Sequence, residues 1–306
     1  MPTHPHAQSH NILLVAVLLI LDSLHFVFAR LLLPHVAPGT SVTLVLAVSV
    51  LEVGLYGLLT RRLHWQTTKQ HFGFFLAIGA LIGASTMINY EAVAFIDPGT
   101  ASLLSQTSVL FSLGFAVLWL RDRLTPQQVG GAIVALIGVF VITFQPGDYL
   151  RVGALLVIVS ALMYALHAAL AKRYGTDIEF IDFFFHRLLF TLLILVVLAS
   201  ARGVLAWPAP RAWALIALVA TVDVVLSRTL YYLALRRLTM SMHTIALTLS
   251  PVAAITWGLL LFHTRPTVQQ LLGGLAVISG VLIVSLSRQS QGTAKARSRP
   301  EAPAAG

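Results

Sequence analysis

Ten long apolar runs leave this chain very little choice of fold. They cover approximately residues 12–33, 40–60, 72–95, 99–120, 127–144, 152–172, 180–201, 212–235, 240–262 and 267–286. Each is close to the length of about 20 residues that carries an α-helix across a hydrocarbon core. In that medium every backbone N–H and C=O must be bonded internally, so only helices and closed barrels can cross it. The runs are rich in Leu, Ala and Gly and show no period-two alternation, which argues against barrel strands. Composition points the same way: 10% of the residues are charged, against about a quarter in a soluble domain, and the mean hydropathy is +0.87. Only short loops and a tail remain outside the runs. The expected fold class is an all-α polytopic membrane protein with ten transmembrane helices.

Charge sets the orientation. The net charge of +9, from 20 basic and 11 acidic residues, would suit a nucleic-acid binder if it were clustered. Instead it alternates. With the N-terminus inside, the inner segments hold Arg61, Arg62, Lys69, Arg121, Arg123, Lys172, Arg173, Arg236, Arg237, Arg288, Lys295, Arg297 and Arg299, thirteen in all. The outer segments hold five: Arg30, Arg151, Arg202, Arg211 and Arg265. This is the positive-inside asymmetry, and it places both termini in the cytoplasm of a cell inner (plasma) membrane protein. Nucleic acid is thereby a poor explanation, and the expected partners are the lipid bilayer and a small-molecule substrate, with the oligomeric state left open. Residues 1–11 lack Lys and Arg, so the first run reads as a retained helix and not as a cleaved signal. Residues 287–306, rich in Ser, Ala, Pro and Arg, read as a disordered basic cytoplasmic tail.

The segment TPQQVGG (125–131) returns as TVQQLLGG (267–274), and the likeness extends well beyond it. At an offset of 142, Thr125, Gln127, Gln128, Gly131 and Gly138 fall on Thr267, Gln269, Gln270, Gly273 and Gly280. In the same register Arg123 meets Arg265, Tyr90 meets Tyr232 and His25 meets His167. Leu matching Leu is cheap, whereas His, Gln, Tyr and Arg matching at one offset indicate duplication. The repeats are therefore 12–144 and 152–286. Each holds five spans, an odd number, so the second enters the membrane inverted with respect to the first. Inverted repeats are an architecture of secondary transporters, whose substrate sits near the midplane where the halves meet.

With ten spans in two such repeats, the chain resembles the EamA family of the drug/metabolite transporter superfamily. The resemblance is carried by RDRLTPQQVGGAIVALIGVFVITF (121–144), TRPTVQQLLGGLAVISGVLIVSL (264–286) and TIALTLSPVAAITWGLLL (244–261). It departs from the family pattern at Asp122 and Thr264, where a glutamate is common, and at Val109, opposite Pro251. The resemblance implies export or exchange of small metabolites, often amino acids, without ATP, around the first, third, fourth, sixth, eighth and ninth spans.

Ionisable groups near the bilayer centre cost roughly 2.5–3.5 kcal/mol each and so single out candidate site residues. Asp22 and His25 share a face of the first span, and Tyr164 and His167 are their counterparts in the sixth. They are suited to binding an ammonium or loading a proton; an interhelical hydrogen-bond pair is the plainer alternative. In the eighth span Asp223, Ser227 and Tyr231 recur every four residues beside Arg228, and Ser85 and Asn89 are the third-span counterparts of Ser227 and Tyr231. Arg228 either meets a substrate carboxylate or forms a buried ion pair with Asp22 or Asp223. Glu91 lies near an outer helix end; His186 and Arg187 lie within two turns of an inner end, where snorkelling explains them nearly as well as function. Gly79, Gly83, Gly131 and Gly273 read as close-packing positions, and Pro251 as a kink or gating element.

There is no cysteine, no GxxxxGK[ST], no HExxH and no GxSxG, so no ATP site, metal site, cofactor or nucleophilic enzyme is expected. The histidines at 4, 6 and 10 lack a supporting carboxylate and read as part of a solvated N-terminus. The sequence thus points to a secondary transporter exporting small polar or amphipathic metabolites by alternating access, with proton coupling through Asp22 or a histidine. A membrane-embedded enzyme and a non-transporting sensor or scaffold are the alternatives.

Overall fold

The computed structural model describes residues 5–120, 124–145, 149–150, 152–174, 178–237 and 240–297. Among them the helices are α1 (Pro5–Leu32), α2 (Pro38–Leu59), the short α3 (Trp65–Gln70), α4 (Phe72–Ala92), α5 (Pro98–Ser105), α6 (Thr107–Leu120) and α7 (Pro126–Thr143). A two-residue antiparallel pairing of β1 (Phe144–Gln145) with β2 (Tyr149–Leu150) links the repeats. There follow α8 (Val152–Tyr174), α9 (Phe180–Ala201), α10 (Pro210–Val219), α11 (Ser227–Arg237), α12 (Met240–Phe262) and α13 (Val268–Arg297).

Eight helical spans in the described residues are long and apolar enough to cross a membrane, and Leu247–Phe262 of α12 is a shorter apolar one. The fourth span is broken into α5 and α6 around Gln106. Its side chain reaches out of the break and donates to the Leu247 carbonyl of α12, at 3.0 Å. The eighth span is continuous but contains a π-helical segment, Ala220–Leu226, between α10 and α11. Counting each as one, the described residues form ten helical spans. α13 continues to Arg297, so the first part of the expected tail, 287–297, prolongs the helix. The rest of the tail, with Asp122, Arg121, Arg123, Arg151 and His4, lies outside the described residues.

The repeat is written into the backbone as well as the sequence. α7 begins with a capping box: Gln128 N–H donates to the Thr125 hydroxyl (3.2 Å) and Thr125 N–H to the Gln128 side chain (3.0 Å). α13 repeats it with Thr267 and Gln270, at 3.2 and 2.7 Å. Such caps satisfy orphan N–H groups at a helix start. α2 ends with Arg62 N–H donating to the Gly57 carbonyl, through Arg61 at φ +54°. α9 ends with Val204 N–H donating to the Ala199 carbonyl, through Gly203 at φ +65°. Both are left-handed helix ends of the Schellman type, one built on glycine and one on arginine.

Two helices from different repeats show that the copies are inverted. α7 and α13 pack along their length, and a Cβ placed on Gly138 would stand 2.6 Å from the Gly273 carbonyl oxygen, one on Gly280 2.4 Å from that of Gly131. The pairs 131–280 and 138–273 run in opposite directions, so equivalent helices are antiparallel. Contact of this kind between glycine backbones is how helices associate where lipid supplies no hydrophobic drive. Gly79 plays the same part between α4 and α9, where its Cβ would stand 2.9 Å from the carbonyl carbon of Phe190. Gly83 lies one turn along, against Thr191 and Ile194. Gly79, Gly83, Gly131 and Gly273 thus each stand against a facing helix.

The remaining helices close a ring: α1 touches α12, then α5–α6, α8, α4, α9, α2 and the eighth span, which returns to α1. α7 and α13 stand against the α5–α6 and α12 part of it. The buried core of the ring is apolar, with Phe26, Leu32, Val45, Tyr90, Phe184, Leu195 and Ile216 within it.

Candidate functional site

The polar side chains of the interior come from α1, α4, α8, α9 and the eighth span. Asp223 occupies the π-helical segment, where one extra residue is looped into the helix and the i→i−4 ladder is interrupted. Such segments cost helix stability and often mark functional positions. The changed turn also alters the phase between Asp223 and the Ser227–Arg228–Tyr231 turn beyond it, so the expected stripe of one residue in four does not run straight. Asp223 and Ser227 are both buried.

Asp223 pairs with His25, whose Nδ1 stands 2.9 Å from Oδ2. This is a bond between the two repeats. Because a carboxylate oxygen only accepts, Nδ1 carries the proton. The other oxygen, Oδ1, is buried and has no partner in the described structure. The His25 ring also meets Phe26 and Tyr90 edge-on, at 5.2 and 6.0 Å between centroids. His25 therefore takes its carboxylate from 198 residues away and not from Asp22, its neighbour on α1.

Arg228 lies within electrostatic reach of Tyr164, Asp22, Asp223 and Tyr231. Among the described residues it forms no ion pair within 4.0 Å, so the expected Arg228–Asp22 or Arg228–Asp223 pair is not closed. His167 is buried, and its Nδ1 donates to the Tyr164 carbonyl at 3.2 Å. The Tyr164 ring lies over it at 5.0 Å but is itself more than a third exposed. Two guanidiniums, Arg187 and Arg228, act on His167.

Some candidates are drawn into packing. The hydroxyls of Ser85 and Ser160 meet at 2.8 Å and each also faces the other's carbonyl at 3.1 Å, clasping α4 to α8. Asn89 Oδ1 is buried without a partner. Pro251 is buried inside α12. Glu91 pairs with Arg202 at the exposed ends of α4 and α9, and Glu52 accepts from the Thr221 hydroxyl at 2.7 Å.

The structure corrects the snorkelling alternative for His186 and Arg187. A snorkelling chain ends in water or headgroups, yet His186 is fully buried and Arg187 is 8% exposed. His186 belongs to a cluster that the sequence reading did not single out. Asp182, buried at the start of α9, accepts from His64 N–H at 3.0 Å and from the Thr67 hydroxyl, and its Oδ1 lies 3.2 Å from His186 Nδ1. It thereby clamps the α2–α4 connection, including α3, onto α9. The equivalent residue is Thr40: it accepts from Ala206 N–H at 3.3 Å and donates to the Val204 carbonyl. The two bonds, 64 to 182 and 206 to 40, are images of each other at the 142 offset. One clamp is anionic and flanked by two histidines; the other is neutral. The signal available in the sequence was the pairing of Asp182 with Thr40 in register.

Among the described residues no group of three or more His, Cys, Asp or Glu is arranged to hold a metal.

Comparison with known proteins places this geometry. The model of the EamA-like transporter family matches residues 10–144 and again 151–286. An uncharacterized transporter of Archaeoglobus fulgidus is 30% identical over 115 residues, 38% of this chain and 40% of its own length. The uncharacterized transporter YdfC of Bacillus subtilis is 26% identical over 201 residues, 62% of this chain and 63% of its own. The chain thus spans less than two thirds of either relative. One solved crystal structure at 17% identity superposes with a TM-score of 0.61, covering 92% of this chain and 99% of that one, which speaks for the fold alone. With both repeats matched, this multi-pass membrane protein belongs to the EamA-like transporter family.

Proposed function

We propose that the protein is a secondary transporter of the inner membrane, termini in the cytoplasm, that exports small polar or amphipathic metabolites such as amino acids. The inverted repeats supply the mechanism. Equivalent helices can exchange their conformations, so that one central site opens first to one side and then to the other. The clamps at Asp182 and Thr40 hold equivalent loops at opposite ends of the molecule, and each is suited to release as the opposite end closes.

The observation that carries the reading is the His25–Asp223 pair, a bond between repeats with one carboxylate oxygen buried and unpartnered. An orphaned buried acceptor is costly unless a ligand or proton meets it. A proton arriving at Oδ1 neutralises Asp223, and His25 loses its anionic partner, which loosens α1 from the eighth span. Arg228 supplies the charge for a substrate carboxylate, and Asp22, half-buried on α1, the charge for an ammonium. In this scheme Tyr164, Ser227 and Tyr231 are further candidates for substrate contact, and Ser85 and Asn89 for positioning α4.

An export screen over amino acids, sugars and toxic analogues in cells overproducing the protein identifies the solute. Reconstituted protein under an imposed pH gradient then tests the coupling. Accumulation that follows the gradient in the wild type, and is lost while exchange survives in Asp223→Asn or Asp22→Asn, is expected. Wild-type uptake indifferent to the gradient removes proton coupling; unchanged accumulation in both variants removes these carboxylates from it.

A further inference from the structure

Among the described residues Arg187 is a buried charge with no ion pair. Its side chain stands on α9 with 8% exposure, its Nε is fully buried without a partner, and it makes no ion pair or guanidinium hydrogen bond with any described residue. The nearest compensation is the face of Phe184, 6.0 Å from the guanidinium carbon. A cation over a ring contributes on the order of 1–2 kcal/mol, well short of what burying an ion costs. Buried charges in folded proteins are paired, and an unpaired one asks for a ligand.

Its surroundings tell which. His167 lies within electrostatic reach of both Arg187 and Arg228. Asp22 and Asp223 act on Arg228 across space, whereas Arg187 has no ion pair within 4.0 Å among the described residues. His167 donates Nδ1–H to the Tyr164 carbonyl, so Nε2 of the neutral ring is an acceptor and leaves the binding of an anion to the guanidinium. Arg187 is seven residues into α9 and His167 seven residues from the end of α8, so at about 1.5 Å per residue both lie roughly 10 Å in from one end of the molecule. Arg228, nine residues from the end of α11, lies about 14 Å in from that same end. Arg187 and Arg228 thus stand at similar depth, both nearer that end than Asp223.

We propose that Arg187 is the centre of a binding site for an oxyanion group, carboxylate or phosphate, of a small organic solute. The site deepens the transport reading and rests on it: the solute carries at least one anionic group beyond any zwitterion that Asp22 and Arg228 would balance. Arginine suits the task because its planar fork meets a carboxylate or phosphate with two parallel N–H···O bonds, which a lysine cannot reproduce.

The test uses the full-length protein in neutral detergent and, separately, in nanodiscs of phosphatidylcholine with or without phosphatidylglycerol. Thermal unfolding is followed against titrations of succinate, glutamate, malate and inorganic phosphate, with choline and glucose as controls. Saturable stabilisation by at least one anion in lipid-free neutral detergent is expected, weakened at least about tenfold in apparent affinity in Arg187→Gln. Arg187→Lys guards against a merely unfolded variant: it keeps the charge, and an intermediate affinity is expected. No stabilisation by any anion, or equal affinity in Arg187→Gln, overturns the site. Stabilisation by phosphatidylglycerol alone overturns it in favour of a headgroup site. Should an anion bind through Arg187 without counterflow in proteoliposomes, the site stands and the transport reading falls.

Discussion

Gly280→Ala replaces one hydrogen by a methyl group at the closest approach of α7 and α13. The new Cβ would lie 2.4 Å from the Gly131 carbonyl oxygen, 2.5 Å from the Ala135 nitrogen and 2.8 Å from the Ala135 Cβ. Two of these three atoms are backbone, so no rotamer change relieves them. Ordinary contact begins at 3.4 Å, so the helices must separate locally by roughly 1 Å, and a gap of that size forfeits a quarter to a half of the dispersion well for atoms along the seam. Separation also stretches the polar ties at the ends of the seam, Ser287 to Gln127 at 3.1 Å and Gln269 to the Phe144 carbonyl at 2.6 Å. Overpacking of this kind costs about 1–3 kcal/mol. Gly130→Ala is the control: it lies on α7, next to Gly131, with nothing within 4 Å of its Cβ. Unfolding of the two variants in one detergent, followed by tryptophan fluorescence, should place Gly280→Ala several degrees below the wild type and Gly130→Ala at or above it. Equal midpoints for the two would refute the close-packed seam, and with it the geometric case for antiparallel repeats.

Two further predictions concern the clamps and turns. Asp182→Asn keeps the shape of its clamp but removes the charge that His64 N–H, Thr67 and His186 share; a loss of about 1.5–3 kcal/mol is expected, with faster proteolysis in the 60–71 segment, and unchanged cleavage would show that Asp182 does not hold the loop. Gly203→Ala meets nothing within 4 Å, so its cost of about 1–2 kcal/mol comes wholly from φ +65°; Arg61→Gly, at the equivalent left-handed position, should shift stability the opposite way, and a neutral Gly203→Ala would remove the backbone account of both turns.

Much of the architecture was legible because its causes are local or periodic. Runs long enough to cross a bilayer gave the spans, Thr125/Gln128 and Thr267/Gln270 gave two helix starts, and the 142-residue register gave the inversion from an odd number of spans per repeat. A helix satisfies its own backbone, so those features need no knowledge of neighbours. The site was legible only as a set of expensive residues. Which of them meet depends on how each helix is rotated and tilted in the ring, and that is fixed by packing between helices far apart in sequence. Hence His25 pairs with Asp223 and not with Asp22, Ser85 is spent on Ser160, and the π-segment shifts Asp223 relative to Ser227. The same packing buries Arg187 where the sequence allowed it to snorkel, and brings Asp182 under the His64–Thr67 loop. Charge, length and register are properties of the chain; the choice of partner for each buried charge belongs to the tertiary fold, because only there does removal from water make an unpaired group costly.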